Sequence, residues 1–136
     1  MEAKRKYDLD ERLIVFAVLI IRITETLYNT RAGIHIGGQL VRSGTSPALH
    51  YGEAQSAESR ADFIHKIKVV LKELRETKNA LRIIRQVPLV DKMGYGDKAL
   101  VESNELISIF VKSLETAKKN MEQEKITKSK KKKNDE

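Results

Sequence analysis

Cysteine and tryptophan are absent from this 136-residue chain, and proline occurs only twice. Without cysteine there are no disulfides, no thiolate metal sites and no thiol nucleophile. Aromatic residues make up 5% of the chain, so any core must be aliphatic. Long apolar runs are missing as well. The longest, residues 13–21, is about half of the roughly 18–20 residues that span a bilayer. The N-terminal stretch MEAKRKYDLDER is charged and leads into no short apolar segment with a small-residue cleavage site, unlike a secretory leader. No Gly-x-x-x-x-Gly-Lys loop and no Gly-x-Ser-x-Gly elbow occur, and Gly37-Gly38 is a bare glycine pair. A di-iron bundle needs two Glu-x-x-His motifs on facing helices, and Asp62-Phe-Ile-His65 is a lone carboxylate–histidine pair. These absences argue for a cytoplasmic, non-enzymatic protein with no cofactor, no metal and no membrane partner.

What the chain does contain is aliphatic and basic. Its length suits one compact domain with a real core. Lysine and arginine number 26 against 19 acids, a net charge of +7. Residues 125–136 hold six lysines against Asp135 and Glu136, so +4 of that charge sits at the C-terminus. A block of like charge repels itself and stays solvated. The expected organisation is an N-terminal extension (1–7), a helical bundle (8–122) and a basic disordered tail (123–136). Such a tail favours anionic partners by counterion release; its plainer use is as a solubilising terminus.

Four segments carry helical periodicity, and none keeps a period of two. Asp8 and Glu11 form a capping-box pattern that predicts a helix start at Asp8. Leu9, Leu13, Phe16, Ile20, Ile23 and Leu27 then follow with gaps of four and three. Ile14, Val15, Val18, Leu19 and Ile21 make this helix apolar nearly all round, which points to burial on more than one side and hence to an oligomer. Residues 33–57 contain Gly37, Gly38, Gly44, Gly52 and Pro47. Each glycine costs about 1 kcal/mol against alanine and an interior proline about 3 kcal/mol. The expectation here is a kinked or broken helix, with propensity favouring a loop at residues 43–47. Ser59 and Asp62 cap a third helix whose seam is Phe63, Ile67, Val70, Leu74, Thr77, Leu81 and Ile84, ending at Pro88. Asp97 is the candidate cap of a fourth, with Leu100, Ile107, Phe110, Leu114, Ala117 and Met121 as its seam. Four amphipathic helices with short connections give an antiparallel up-down four-helix bundle.

Residues 41–77 read VRSGTSPALHYGEAQSAESRADFIHKIKVVLKELRET. Arg42, Ser43, Thr45, Ser46, Tyr51, Glu53, Ala54, Ser59, Asp62, Phe63, Glu73, Glu76 and Thr77 fall in a pattern that resembles the four-helix-bundle family encoded by intervening sequences in bacterial 23S ribosomal RNA genes. His50 stands where that family usually has Asn, and Pro47 and Leu49 depart from its small residues. The resemblance implies that the Gly-rich second segment is helical and that the bundles assemble as a homopentamer. The family is itself similar to the accessory variability protein of diversity-generating retroelements, a basic pentameric bundle linked to nucleic acid. No place in the ribosome follows from where the family is encoded.

Three constellations carry possible chemistry. Lys68, Lys72, Arg75 and Arg82 share one sector of the third helix, away from its seam. With Lys130, Lys131, Lys132 and Lys133 of the tail they form a candidate phosphate-contacting set for RNA or DNA. The competing reading is a solvated face paired with acids of a neighbouring helix, or a surface for a protein partner. Arg42, Ser43, Ser46, His50 and Glu53, with Thr45 and Tyr51, form a dense polar group. It reads as a structural network around Pro47 with an Arg42–Glu53 pair, or alternatively as a ligand or subunit contact. Arg60 and His65 fit an R-x4-H pattern similar to that of HEPN-type ribonucleases, but residues five apart on a helix diverge by about 140°.

Overall fold

The structure is a computed structural model that describes residues 2–135, with side chains described from residue 9. It consists of α1 (Glu2–Thr24), α2 (Arg31–Gln55), α3 (Arg60–Gln86) and α4 (Gly94–Asn134). Among the described residues there is no strand. Contacts run α1–α2, α2–α3, α3–α4 and, most thinly, α4–α1, which closes the four helices into a ring without diagonal packing. Cross-helix pairs fix the directions as antiparallel. Arg60 meets Glu124 while Arg85 meets Asp97, and the α1–α2 and α3–α4 connections touch through Tyr28 N–H and the Leu89 carbonyl at 2.8 Å.

The core is aliphatic, as the composition requires. Leu13, Phe16, Ile20 and Ile23 of α1 pack with Leu40 of α2. Ile67, Val70, Leu74, Leu81 and Ile84 of α3 and Leu106 and Phe110 of α4 complete it. Tyr51 meets Phe110 edge to face with centroids 5.4 Å apart. The α1 and α3 residues are seams read from periodicity, each the stripe an amphipathic helix must remove from water; in α4 Leu106, expected on the flank, is fully buried while Ile107, Leu114 and Met121 are only half-buried.

Three boundaries differ from expectation. Helix α1 starts at Glu2 rather than Asp8, because the residues ahead of Asp8 are mostly good helix formers and Asp8 simply continues the helix. Helix α4 starts at Gly94 with Met93 at its N-cap and no side-chain cap bond; Asp97 lies in its first turn, facing Arg85 at 3.6 Å. At the other end α4 runs to Asn134, so the segment expected to be disordered is helical. Every residue from 122 to 135 is exposed there. The bundle therefore ends near Met121 by packing, not by secondary structure.

Helix α2 is unbroken across residues 43–47. Packing explains why. A Cβ at Gly44 would lie 2.5–2.9 Å from three atoms of Ile20, so the glycine is what lets α1 and α2 approach this closely. The hydroxyls of Thr45 and Ser46 bond back to the carbonyls of Val41 and Arg42 at 2.7 and 2.6 Å. Thr30 caps the helix, accepting from Gly33 N–H at 3.0 Å. Ser59 does the same for α3, accepting from Asp62 N–H at 3.0 Å as its capping pattern predicts, while the Asp62 carboxylate turns to Lys66.

Candidate nucleic-acid interface and the polar seam behind it

Helix α3 divides its polar residues between two faces. On the outer face Lys68, Lys72, Arg75 and Arg82 are all exposed. Among the described residues none of them makes a salt bridge, whereas Arg12, Arg42, Arg60, Lys66 and Arg85 all do. Lys68, Lys72 and Arg75 line a shallow groove of about 410 Å³ whose apolar floor is Leu71 of α3 and Leu114 of α4. Arg82 lines the next depression along the same helix, and Asn79 belongs to both. Glu76 also borders the groove, but its carboxylate is taken by Arg42 of α2 at 2.7 Å. The four sequence-selected cations are thus brought onto one continuous helical face.

The lysines of the tail are exposed on the end of α4. Arg60 holds the root of that segment through Glu124 at 2.7 Å. The Arg60–His65 pattern is not drawn together: Arg60 is committed to Glu124, and His65 is exposed on another side of α3. Among the described residues no three His, Asp or Glu side chains converge.

The polar group of α2 turns toward α3, and its partners are not those expected. Arg42 bonds Gln39 at 3.1 Å and Glu76, not Glu53. Glu53 is exposed and has no partner among the described residues; it lies eleven residues along the same helix from Arg42, too far for the pair to close. His50 Nδ1 meets Glu73 Oε1 at 2.7 Å, and Glu73 is the one charged residue buried among the described residues. One turn away Thr77 donates to Ser43 Oγ at 2.9 Å, both fully buried. Ser46 serves its own helix only. Sequence reasoning missed Glu73 as a buried group. The signal was its position four residues before Thr77, a seam residue, on the side of α3 that α2 must cover.

On the α1–α4 seam Arg12 grips Glu102 with two bonds of 2.8 and 2.7 Å and also reaches Glu105. The Glu102 hydrogen bond is the main cause of a guanidinium held above its ordinary range, against a smaller opposing effect of burial. Tyr51 is pushed up by burial and by the charge of Asp10.

The 23S rRNA-intervening sequence protein family model matches residues 5–111, most of the bundle. The chain belongs to that family. A protein of unknown function from the S23 ribosomal protein family of Bacteroides thetaiotaomicron, known from its crystal structure, has the same fold. Its TM-score is 0.71 at 28% identity, over 77% of this chain and 96% of that one. No curated protein matches the chain. The family match stops at residue 111, ahead of the lysine-rich end of α4.

Proposed function

We propose that this member of the family is a non-enzymatic, homo-oligomeric bundle that binds RNA or DNA through its phosphates without reading sequence. The observation that carries the proposal is the outer face of α3. Lys68, Lys72 and Arg75 stand four and three residues apart on it, repelling one another on an isolated helix, and among the described residues none of them is held in a salt bridge. Like charges held together without a counter-charge favour an external polyanion, and Lys130, Lys131, Lys132 and Lys133 add to the same field.

The second half of the proposal concerns assembly. Ile14, Val18 and Ile21 of α1 and Ile34 and Val41 of α2 remain exposed, Ile34 by 64%. Beside them Gly33, Gly37 and Gly38 line a groove between the two helices. A contiguous aliphatic face of this kind suits a second copy of the chain, and a ring of five matches what the family resemblance implies. Among the described residues no helix is long and apolar enough to cross a membrane, and we place the protein in the cytoplasm.

Filter binding across a salt series tests the phosphate reading. Log affinity falls linearly with log salt, and Lys68→Glu with Lys72→Glu and Arg75→Glu abolishes binding at physiological salt. Salt-independent binding, or binding unchanged in that variant, rules the proposal out. If the same variant instead loses a protein partner in pull-downs, the bundle is an adaptor.

A further inference from the structure

We infer that the α3 stripe and the end of α4 form one straight basic track that fits the backbone of a nucleic-acid duplex, and not a single strand. The inference rests on the phosphate-binding proposal and specifies its ligand.

Two grooves tie the surfaces together. The first joins Lys68, Lys72 and Arg75 to Leu114 of α4. The second, where α3 begins, is lined by Arg60 together with Asn120, Gln123, Glu124, Thr127 and Lys128 of α4. Helix α4 therefore runs alongside the stripe and then past the start of α3. Starting from Leu114, gaps of four and three along α4 reach Lys118, Met121, Lys125, Lys128 and Lys132. The side of α4 that is an apolar seam within the bundle becomes a row of lysines where the bundle ends. Residues 118–133 contain eight lysines against Glu122 and Glu124, and Glu124 is engaged by Arg60. Glu122 and, nearer the stripe, Glu115 are the other acids of α4 on this stretch.

Length and chemistry then select the ligand. At 1.5 Å per residue, Arg82 to Lys68 spans about 21 Å and Lys118 to Lys132 about the same, giving a track of roughly 45 Å end to end. That is about 13 base pairs at 3.4 Å each. Proteins that hold single strands combine a basic groove with aromatic side chains on which the bases stack. This track has none. No aromatic residue follows Phe110, and the one aromatic of α3, Phe63, packs against the core. A rigid cationic line without stacking platforms matches phosphates held at fixed spacing, which a duplex presents and a flexible strand does not.

Fluorescence anisotropy with the full chain decides the matter, using labelled DNA duplexes of about 8 and about 16 base pairs, an RNA duplex and the corresponding single strands. The longer duplex binds at least tenfold tighter than its single strand and than the shorter duplex. Lys68→Gln with Lys72→Gln and Arg75→Gln, and separately Lys125→Gln with Lys128→Gln and Lys132→Gln, each lower the salt slope by about 2–3. The second triple also removes the advantage of the longer duplex. The DNA and RNA arms show which backbone geometry is preferred. Equal or tighter binding of single strands overturns the duplex inference and leaves the phosphate proposal standing. A salt slope changed by only one triple overturns the single track. No binding of any probe overturns the inference together with the proposal it rests on.

Discussion

Gly44→Ala tests whether the tight α1–α2 contact is what keeps a glycine-rich, proline-containing segment helical. Taken alone, the substitution favours the helix by about 1 kcal/mol. Against that, the new methyl would sit 2.5 and 2.7 Å from the γ-carbons of Ile20 and 2.9 Å from its Cβ. Carbon atoms pack at about 3.5–4.0 Å, so relief needs a shift of roughly 1 Å. A rotamer change does not suffice, because the Ile20 Cβ is itself too close, and Ile20 is fully buried. Overpacking of this kind costs about 1–3 kcal/mol. The net expectation is a loss of up to about 2 kcal/mol, or a fall in Tm of up to about 8 °C. Gly52→Ala is the control: a Cβ there meets nothing within 4 Å, and the substitution raises Tm. Combining Gly44→Ala with Ile20→Ala recovers at least about 1 kcal/mol relative to the sum of the single changes. Thermal unfolding by circular dichroism reads all four proteins. If Gly44→Ala stabilises the chain as Gly52→Ala does, close approach is not the reason for that glycine.

The polar seam gives a second contrast. His50→Leu leaves buried Glu73 without its partner and lowers stability by about 2–3 kcal/mol, while His50→Asn, the residue usual in the family, keeps a donor and stays within about 1 kcal/mol in urea unfolding. Arg12→Ala costs about 1 kcal/mol, since the pair is partly exposed, and amide exchange quickens first along α1 and α4, whose contact is the thinnest in the ring. Tyr51 adds an alkaline limit. Its folded value lies above the ordinary 10.0, so the stability it contributes is complete below that pH and is lost as pH rises through the folded value. Urea unfolding between about pH 9 and 11 shows the decline, and Tyr51→Phe flattens it.

Periodicity carried most of the architecture. The seams of α1 and α3 are legible because apolar residues three and four apart have one way to leave water, and Phe16, Ile20, Ile67 and Leu74 are buried accordingly. The helicity of α2 was invisible to propensity. Its glycines and Pro47 argue for a loop, and only the neighbouring Ile20 shows why a small residue is needed at position 44; the family resemblance supplied what local rules did not. Helix limits failed for a related reason. Asp8 and Asp97 carry cap chemistry, but a cap acts only where the helix stops, and the residues on either side continue it. The basic stripe was legible because Lys68, Lys72, Arg75 and Arg82 share a sector whatever surrounds the helix. The partners of Arg42 and His50 were not, because Glu76 and Glu73 are far away in sequence and become neighbours only when α2 lies against α3. The continuity between the stripe and the tail depended on the tail being helical, and its repeated lysines read instead as self-repelling coil.

On the proposed reading, sister copies cover the exposed aliphatic face of α1 and α2 and leave the basic stripe open to phosphate. Light scattering on the intact protein measures that directly. The expected molar mass is about five times the 15.5 kDa chain, reduced to the single chain when Val18→Glu and Ile34→Glu place charges on that face. A monodisperse 15.5 kDa particle at all concentrations, with Ile14 and Ile34 in water, contradicts it.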